Sequence, residues 1–198
     1  MVKRTEQDLT AAAVEQLADR LRIQYGTRVR AKEEAPAMHA LAHLLDALGV
    51  QDHDAFLTQY SITLGYDVWL CFRPGTDQLA PIQQVKALGH EHEHVVIMQA
   101  EGAAAYGMLY ATSPAWRAVC EARCYTVDLE LHWLWTRATR GRGVVQRYDM
   151  AATLAPYGCR AGDCVAAQRV IDSAARVLRR GGVGTELAQR IGRWRGWL

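Results

Sequence analysis

The chain has 198 residues, half of them hydrophobic, with 23 lysines and arginines against 21 acidic residues and a formal charge of +2. That length and composition fit one globular domain with a substantial core and exclude a disordered chain. So small a net charge gives no reason to expect a nucleic-acid partner for the molecule as a whole, although seven arginines crowd residues 161–198 against Asp163, Asp172 and Glu186.

In chain order, Leu9, Ala13, Leu17 and Leu21 recur near helical period, and Tyr25-Gly26-Thr27 offers a stop. A second helix is expected from Pro36, with Met38, Leu41, Leu44, Leu45 and Leu48 as its buried stripe and Gly49-Val50 ending the pattern. Asp52 then caps a short turn carrying Phe56 and Leu57. Near Gln59 the pattern changes. Residues 60–64 alternate, residues 66–72 are β-branched and aromatic, and Gly65 between them suggests a hairpin that Pro74-Gly75 ends.

Thr76 or Asp77 is expected to cap the next helix, with Pro81 in its first turn and Glu101-Gly102 closing it. Residues 103–112 read as a connector. Ser113-Pro114 then starts a long helix, with Trp116, Cys120, Val127, Leu131 and Leu134 available to pack. After an exposed loop at residues 140–143, the last fifty residues are expected to be helical, broken at Tyr157-Gly158 and at residues 181–184. The tail, with Trp194 and Trp197 among arginines and glycines, reads as a terminal segment docking its tryptophans rather than a stable amphipathic helix. No internal repeat or low-complexity linker appears, so a single domain over residues 1–198 is expected, with a helical portion over about 150–198.

No apolar run approaches the roughly 20 residues of a membrane span. The start, Met1-Val2-Lys3-Arg4-Thr5-Glu6, is charged where a secretory signal is apolar, so a cytoplasmic location without a signal peptide is expected. Cys71, Cys120, Cys124, Cys159 and Cys164 read as thiols, most of them buried as small hydrophobes.

The chemistry concentrates in Leu88-Gly89-His90-Glu91-His92-Glu93-His94-Val95-Val96, which contains a His-Glu-x-x-His motif. Positions i and i+4 share a helix face, so His90 and His94 can aim two imidazoles at one Zn2+. Glu91 then serves as general base toward a water on the metal. His92 lies about 200° around the helix from either histidine; it and Glu93 are expected to face solvent or to lend outer contacts. A catalytic zinc needs a third protein ligand. The helix after Ser113 offers Glu121 and Asp128, seven residues apart on one face with Arg117 and Tyr125 nearby. His132, Cys120 and Cys124 are further candidates, and Tyr106, Tyr110, Tyr125, Arg117 and His132 are candidate oxyanion donors or supporting residues.

The order of these parts, with Gln99 five residues beyond His94, an aromatic connector and then residues 113–125 (Ser-Pro-Ala-Trp-Arg-Ala-Val-Cys-Glu-Ala-Arg-Cys-Tyr), resembles the zinc metallopeptidases of bacteriophages and prophages, a zincin-like group. The resemblance covers roughly residues 66–130. It implies Glu121 as the third zinc ligand, with Arg117 and Tyr125 as its matching neighbours, and peptide or protein substrates. The expected fold is α+β and predominantly helical, with a small β-sheet beside the motif helix and a second, ligand-bearing helix. The strand over residues 66–72 is expected to offer an edge to an extended peptide. The other class the sequence leaves open is a non-enzymatic phage assembly or interaction protein with a structural zinc closed by a fourth ligand, Asp128 or His132.

Overall fold

A computed structural model describes residues 9–47 and 52–198 of the chain. The fold is α+β and predominantly helical, with one three-stranded sheet among the described residues. The chain divides into two compact units, Leu9–His92 and Glu93–Leu198, and the boundary falls inside a single helix. No helix among the described residues is long and apolar enough to cross a membrane.

In the first unit, α1 (Ala11–Tyr25) starts where Thr10 accepts the Ala13 amide and stops at Gly26 in the left-handed region, the stop that the Tyr-Gly-Thr triplet signals. Its buried stripe is Val14, Leu17, Ala18 and Leu21. The chain continues into β1 (Arg28–Ala31), a strand absent from the sequence expectation because Arg-Val-Arg-Ala carries too little apolar alternation to announce itself. It pairs parallel with β3 (Asp67–Leu70), and β2 (Ile62–Leu64) pairs antiparallel on the other side, in the order β1-β3-β2. The hairpin is as expected: Leu64 pairs with Asp67 across a two-residue turn begun by Gly65 at φ 61. The edge is not. β3, the strand expected to receive a peptide, is central and paired on both sides, so β2 and β1 are the edge strands.

Helices α2 (Pro36–Ala47) and α3 (His53–Thr58) pack together through Met38, Ala42, Phe56 and Leu57, with Leu41, Leu45, Ile62 and Trp69 around them. Asp52 caps α3 by accepting the Ala55 amide at 2.8 Å. Leu44, expected in the buried stripe, is exposed, because the stripe follows the narrower line 38, 41, 42, 45. The expected end of this helix at Leu48 and Gly49-Val50 lies outside the described residues. Beneath α3 the Lys32 side chain is fully buried, its ammonium donating to the Phe56 carbonyl at 3.0 Å and lying 3.6 Å from the centre of the Phe56 ring.

Helix α4 (Pro81–Glu101) opens on Pro81. Neither Thr76 nor Asp77 caps it. Thr76 donates instead to the Arg73 carbonyl, and the buried Gln84 amide ties the preceding loop by donating to the Thr76 and Leu79 carbonyls.

In the second unit, residues 103–112 form a helix, α5 (Ala103–Thr112), rather than a connector. Its alanines favour helix, but its lack of an amphipathic stripe hid it. Helix α6 (Pro114–Arg140) begins as expected, with Ser113 accepting the Trp116 amide and Pro114 in the first turn, and ends at left-handed Gly141. It is the axis of this unit: α5, α7 (Met150–Leu154), α8 (Ala161–Arg179) and α9 (Glu186–Arg195) all pack on it. The tail expected to be irregular is the helix α9. Gly192 does not break it but lets it approach α6: a Cβ there would sit 2.9 Å from Leu134 Cδ1. Trp197 docks as expected and is buried. The N-terminus of α9 rests on a buried carboxylate: Glu130 accepts from the Gly184 amide at 2.7 Å, the Thr185 amide at 3.0 Å and the Thr185 hydroxyl. All five cysteines are thiols, with Cys120, Cys124 and Cys164 buried.

Replacing Glu130 with Ala removes the acceptor for three donors and is expected to destabilise the chain by about 2–3 kcal/mol in urea unfolding; a loss below about 0.5 kcal/mol would show that water takes over its role. Burial pushes the Lys32 ammonium down to about 8, against the opposing pull of Glu91 and then Cys71. The unfolded chain keeps that proton up to about 10.5, so unfolding takes up a proton between pH 8 and 10.5 and stability from this site rises with pH across that window. The gain approaches about 1.4 kcal/mol per pH unit, and a Lys32→Met variant is expected to lose it.

Candidate metal centre

Helix α4 carries His90, Glu91, His92, Glu93 and His94 in succession, and the last four are buried. A polar group withdrawn from water must find a partner, and each of these does so differently.

Glu91 accepts a hydrogen bond at Oε2 from the Thr63 hydroxyl of β2 at 2.8 Å; the same hydroxyl lies 3.0 Å from the Glu91 carbonyl oxygen. The buried Lys32 ammonium adds positive charge near this carboxylate. His92 does not face solvent, as its position on the helical wheel suggested. It is fully buried, with Nδ1 donating to the Leu88 carbonyl at 2.7 Å and Nε2 accepting from the Thr27 hydroxyl at 3.0 Å. Burial holds its imidazole down to about 4, so it is neutral near pH 7. Glu93, expected to face solvent or to lend outer contacts, is buried and receives Arg123 Nη2 of α6 at 2.7 Å. A helix packed on more than one face inverts the expectation for both residues.

His90 and His94 stand one turn apart on the unbroken helix, with ligand nitrogens within 4.8 Å of each other. His94 belongs to the second unit and is held within it. Its Nδ1 meets the Tyr106 hydroxyl at 2.9 Å, and its Nε2 faces Glu121 Oε1 at 3.4 Å, longer than an ordinary hydrogen bond. Glu121 is 1% exposed and accepts a short hydrogen bond from the Tyr110 hydroxyl. Burial first, and then the Glu121 carboxylate, push the Tyr110 phenol well above its ordinary range, which keeps it a donor. Tyr106 and Tyr110 sit at i and i+4 on α5 with their rings stacked 5.7 Å apart, so one helix face supplies both hydroxyls. Cys124, one turn beyond Glu121 on α6, also places its sulfur within 4.8 Å of a His94 ligand nitrogen. Around it Ile97, Cys120, Tyr106, Tyr110 and Trp116 form an apolar wall, and burial, then Glu121, push the Cys120 thiol up to about 12.

The structure thus brings His94 to Glu121 and to Cys124. Asp128 lies two turns past Glu121, about 10 Å along the helix, where its charge acts on the half-buried Tyr148 hydroxyl. Tyr125 packs on the Tyr148 ring at 5.3 Å, and His132 lies 5.8 Å from the Trp135 ring. Arg117 donates to the Tyr110 carbonyl at 2.8 Å and to the Ala111 carbonyl at 3.4 Å, capping the last turn of α5. Sequence reasoning had no way to find Lys32 or Thr63, which meet Glu91 only through the fold. Cys124 carried a weak signal, since it lies three residues from Glu121 on a neighbouring face.

Comparison with protein-family models, with curated proteins and with solved structures gave no match.

Thr27→Val leaves the buried His92 Nε2 without its donor and is expected to cost about 1–2 kcal/mol in urea unfolding; no change would mean that the hydroxyl is dispensable to that nitrogen.

Proposed function

We propose that the protein is a zinc-dependent hydrolase of peptide bonds of zincin-like type, with His90, His94 and Glu121 holding the metal and Glu91 acting as general base. One observation carries the reading. His94 Nε2 and Glu121 Oε1, 27 residues apart and on different helices, stand 3.4 Å from each other. Bonds of about 2.0–2.2 Å at a tetrahedral angle separate two zinc ligands by about 3.3–3.6 Å. The hydroxyls of Tyr106 and Tyr110 orient this imidazole and this carboxylate in the way that outer partners fix metal ligands. A divalent cation would also answer the burial of the Glu121 charge.

A zinc ion held by His90, His94 and Glu121 would supply Lewis acidity and would make a bound water acidic near neutral pH. The chain's own residues do the rest. Glu91 takes a proton from the attacking water and delivers it to the leaving amine. Thr63 fixes one oxygen of that carboxylate by donating its hydroxyl hydrogen to it. Since Thr63 belongs to the edge strand β2, an extended peptide adding to that edge would lie beside Glu91.

A second reading has its own observation. With Cys124 near His94, the set His90, His94, Glu121 and Cys124 would close a four-ligand structural site in a non-enzymatic assembly or interaction protein. The two readings separate cleanly. Under the first, Glu91→Gln retains stoichiometric zinc while peptide hydrolysis falls by about 10²–10⁴-fold, and Cys124→Ala leaves the zinc content unchanged. Zinc lost on Cys124→Ala, with no peptidase activity in the parent protein, would establish the structural reading. Unaltered turnover in Glu91→Gln would remove the proposed mechanism.

A further inference from the structure

A second group of histidines lies in the first unit, apart from the motif. His39 and His43 stand at i and i+4 on α2, and His53 opens α3. The His53 ring is 4.2 Å from the His43 ring and 6.0 Å from the His39 ring, centre to centre. Their hydrogen bonds fix which nitrogens remain to bind a ligand. His39 Nε2 lies 3.0 Å from the Glu33 carbonyl oxygen, which can only accept, so Nε2 carries the proton and Nδ1 keeps its lone pair. His53 Nδ1 lies 2.9 Å from Asp54 Oδ1, so it donates there, and Nε2 keeps its lone pair. That Nε2 atom is buried and has no hydrogen-bond partner among the described residues.

A carboxylate or carbonyl that accepts from one ring nitrogen and leaves the other with its lone pair is the supporting arrangement of metal-binding histidines. We propose that His39, His43 and His53 form a second transition-metal site, joining α2 to α3 and taking a borderline divalent cation such as Zn2+ through His39 Nδ1, His53 Nε2 and one His43 nitrogen. The rings of His43 and His53 are stacked at 29°, so ligation requires the exposed His43 ring to turn out of the stack about its side-chain bonds. The site shares no residue with the motif on α4, and its metal would be structural, stiffening the α2–α3 pair.

The test is a Zn2+ titration of the full-length, chelator-stripped protein by calorimetry, with Zn2+ alone as the probe. The His43→Ala variant, altered at an exposed position, is expected to bind one equivalent fewer than the parent, and His53→Gln likewise. Asp54→Asn is expected to weaken that equivalent by about 10–100-fold. In a His94→Ala background one equivalent should remain, and adding His43→Ala should remove it. If the proposed hydrolytic site binds nothing, the parent takes up a single equivalent that disappears with His43→Ala and survives His94→Ala, so the two proposals fail separately. Parent-like stoichiometry and affinity in both His43→Ala and His53→Gln would overturn the inference.

Discussion

Burial of four successive ionisable side chains on α4, Glu91 to His94, is the constraint on which the rest of the structure depends. None can be withdrawn from water without a partner, and an unpartnered carboxylate would cost several kcal/mol. Each therefore dictates a residue elsewhere: Thr63 and the charge of Lys32 for Glu91, Thr27 for His92, Arg123 for Glu93, and Tyr106 with Glu121 for His94. Within the first unit these partners come from β2, from β1's approach at Thr27 and from Lys32; within the second they come from α5 and the first half of α6. A helix that merely packed apolar residues would tolerate rotation and slippage. This one makes four polar contacts within a single turn, two inside the first unit and two inside the second.

The same economy recurs on α6, which buries Glu121, Asp128 and Glu130 among apolar residues. Glu130 is consumed structurally, since its two oxygens receive the start of α9. Glu121 is different. Its neighbours are a phenol held protonated by burial and an imidazole at a separation too long for a good hydrogen bond. That difference between two buried glutamates on one helix, one engaged by the start of α9 and one facing a histidine, is the physical basis for the proposal that Glu121 binds a metal while Glu130 is structural.

Much of the fold is legible in the residues. Local signals with a steric or hydrogen-bonding cause transferred well: Gly26 as a stop, Gly65 in the hairpin, Asp52 and Ser113 as caps, Pro114 in a first turn. Signals that depend on what packs against a segment did not. β1 is a strand because β3 lies beside it, α5 is a helix without an amphipathic stripe, and Thr76 turned to a loop carbonyl rather than to α4.

The sequence by itself determined that His90 and His94 share a face, because helical period is a property of the backbone and needs no tertiary partner. It also determined that the acidic candidates lie on the helix begun by Ser113-Pro114. Only the tertiary structure decided that Glu121 meets His94 while Asp128 lies two turns away, that Cys124 accompanies it, and that His92 and Glu93 are buried. The reason is that periodicity fixes angles around one helix axis, whereas the distance between two helices, and hence which carboxylate reaches which imidazole, is set by the side chains packed between them.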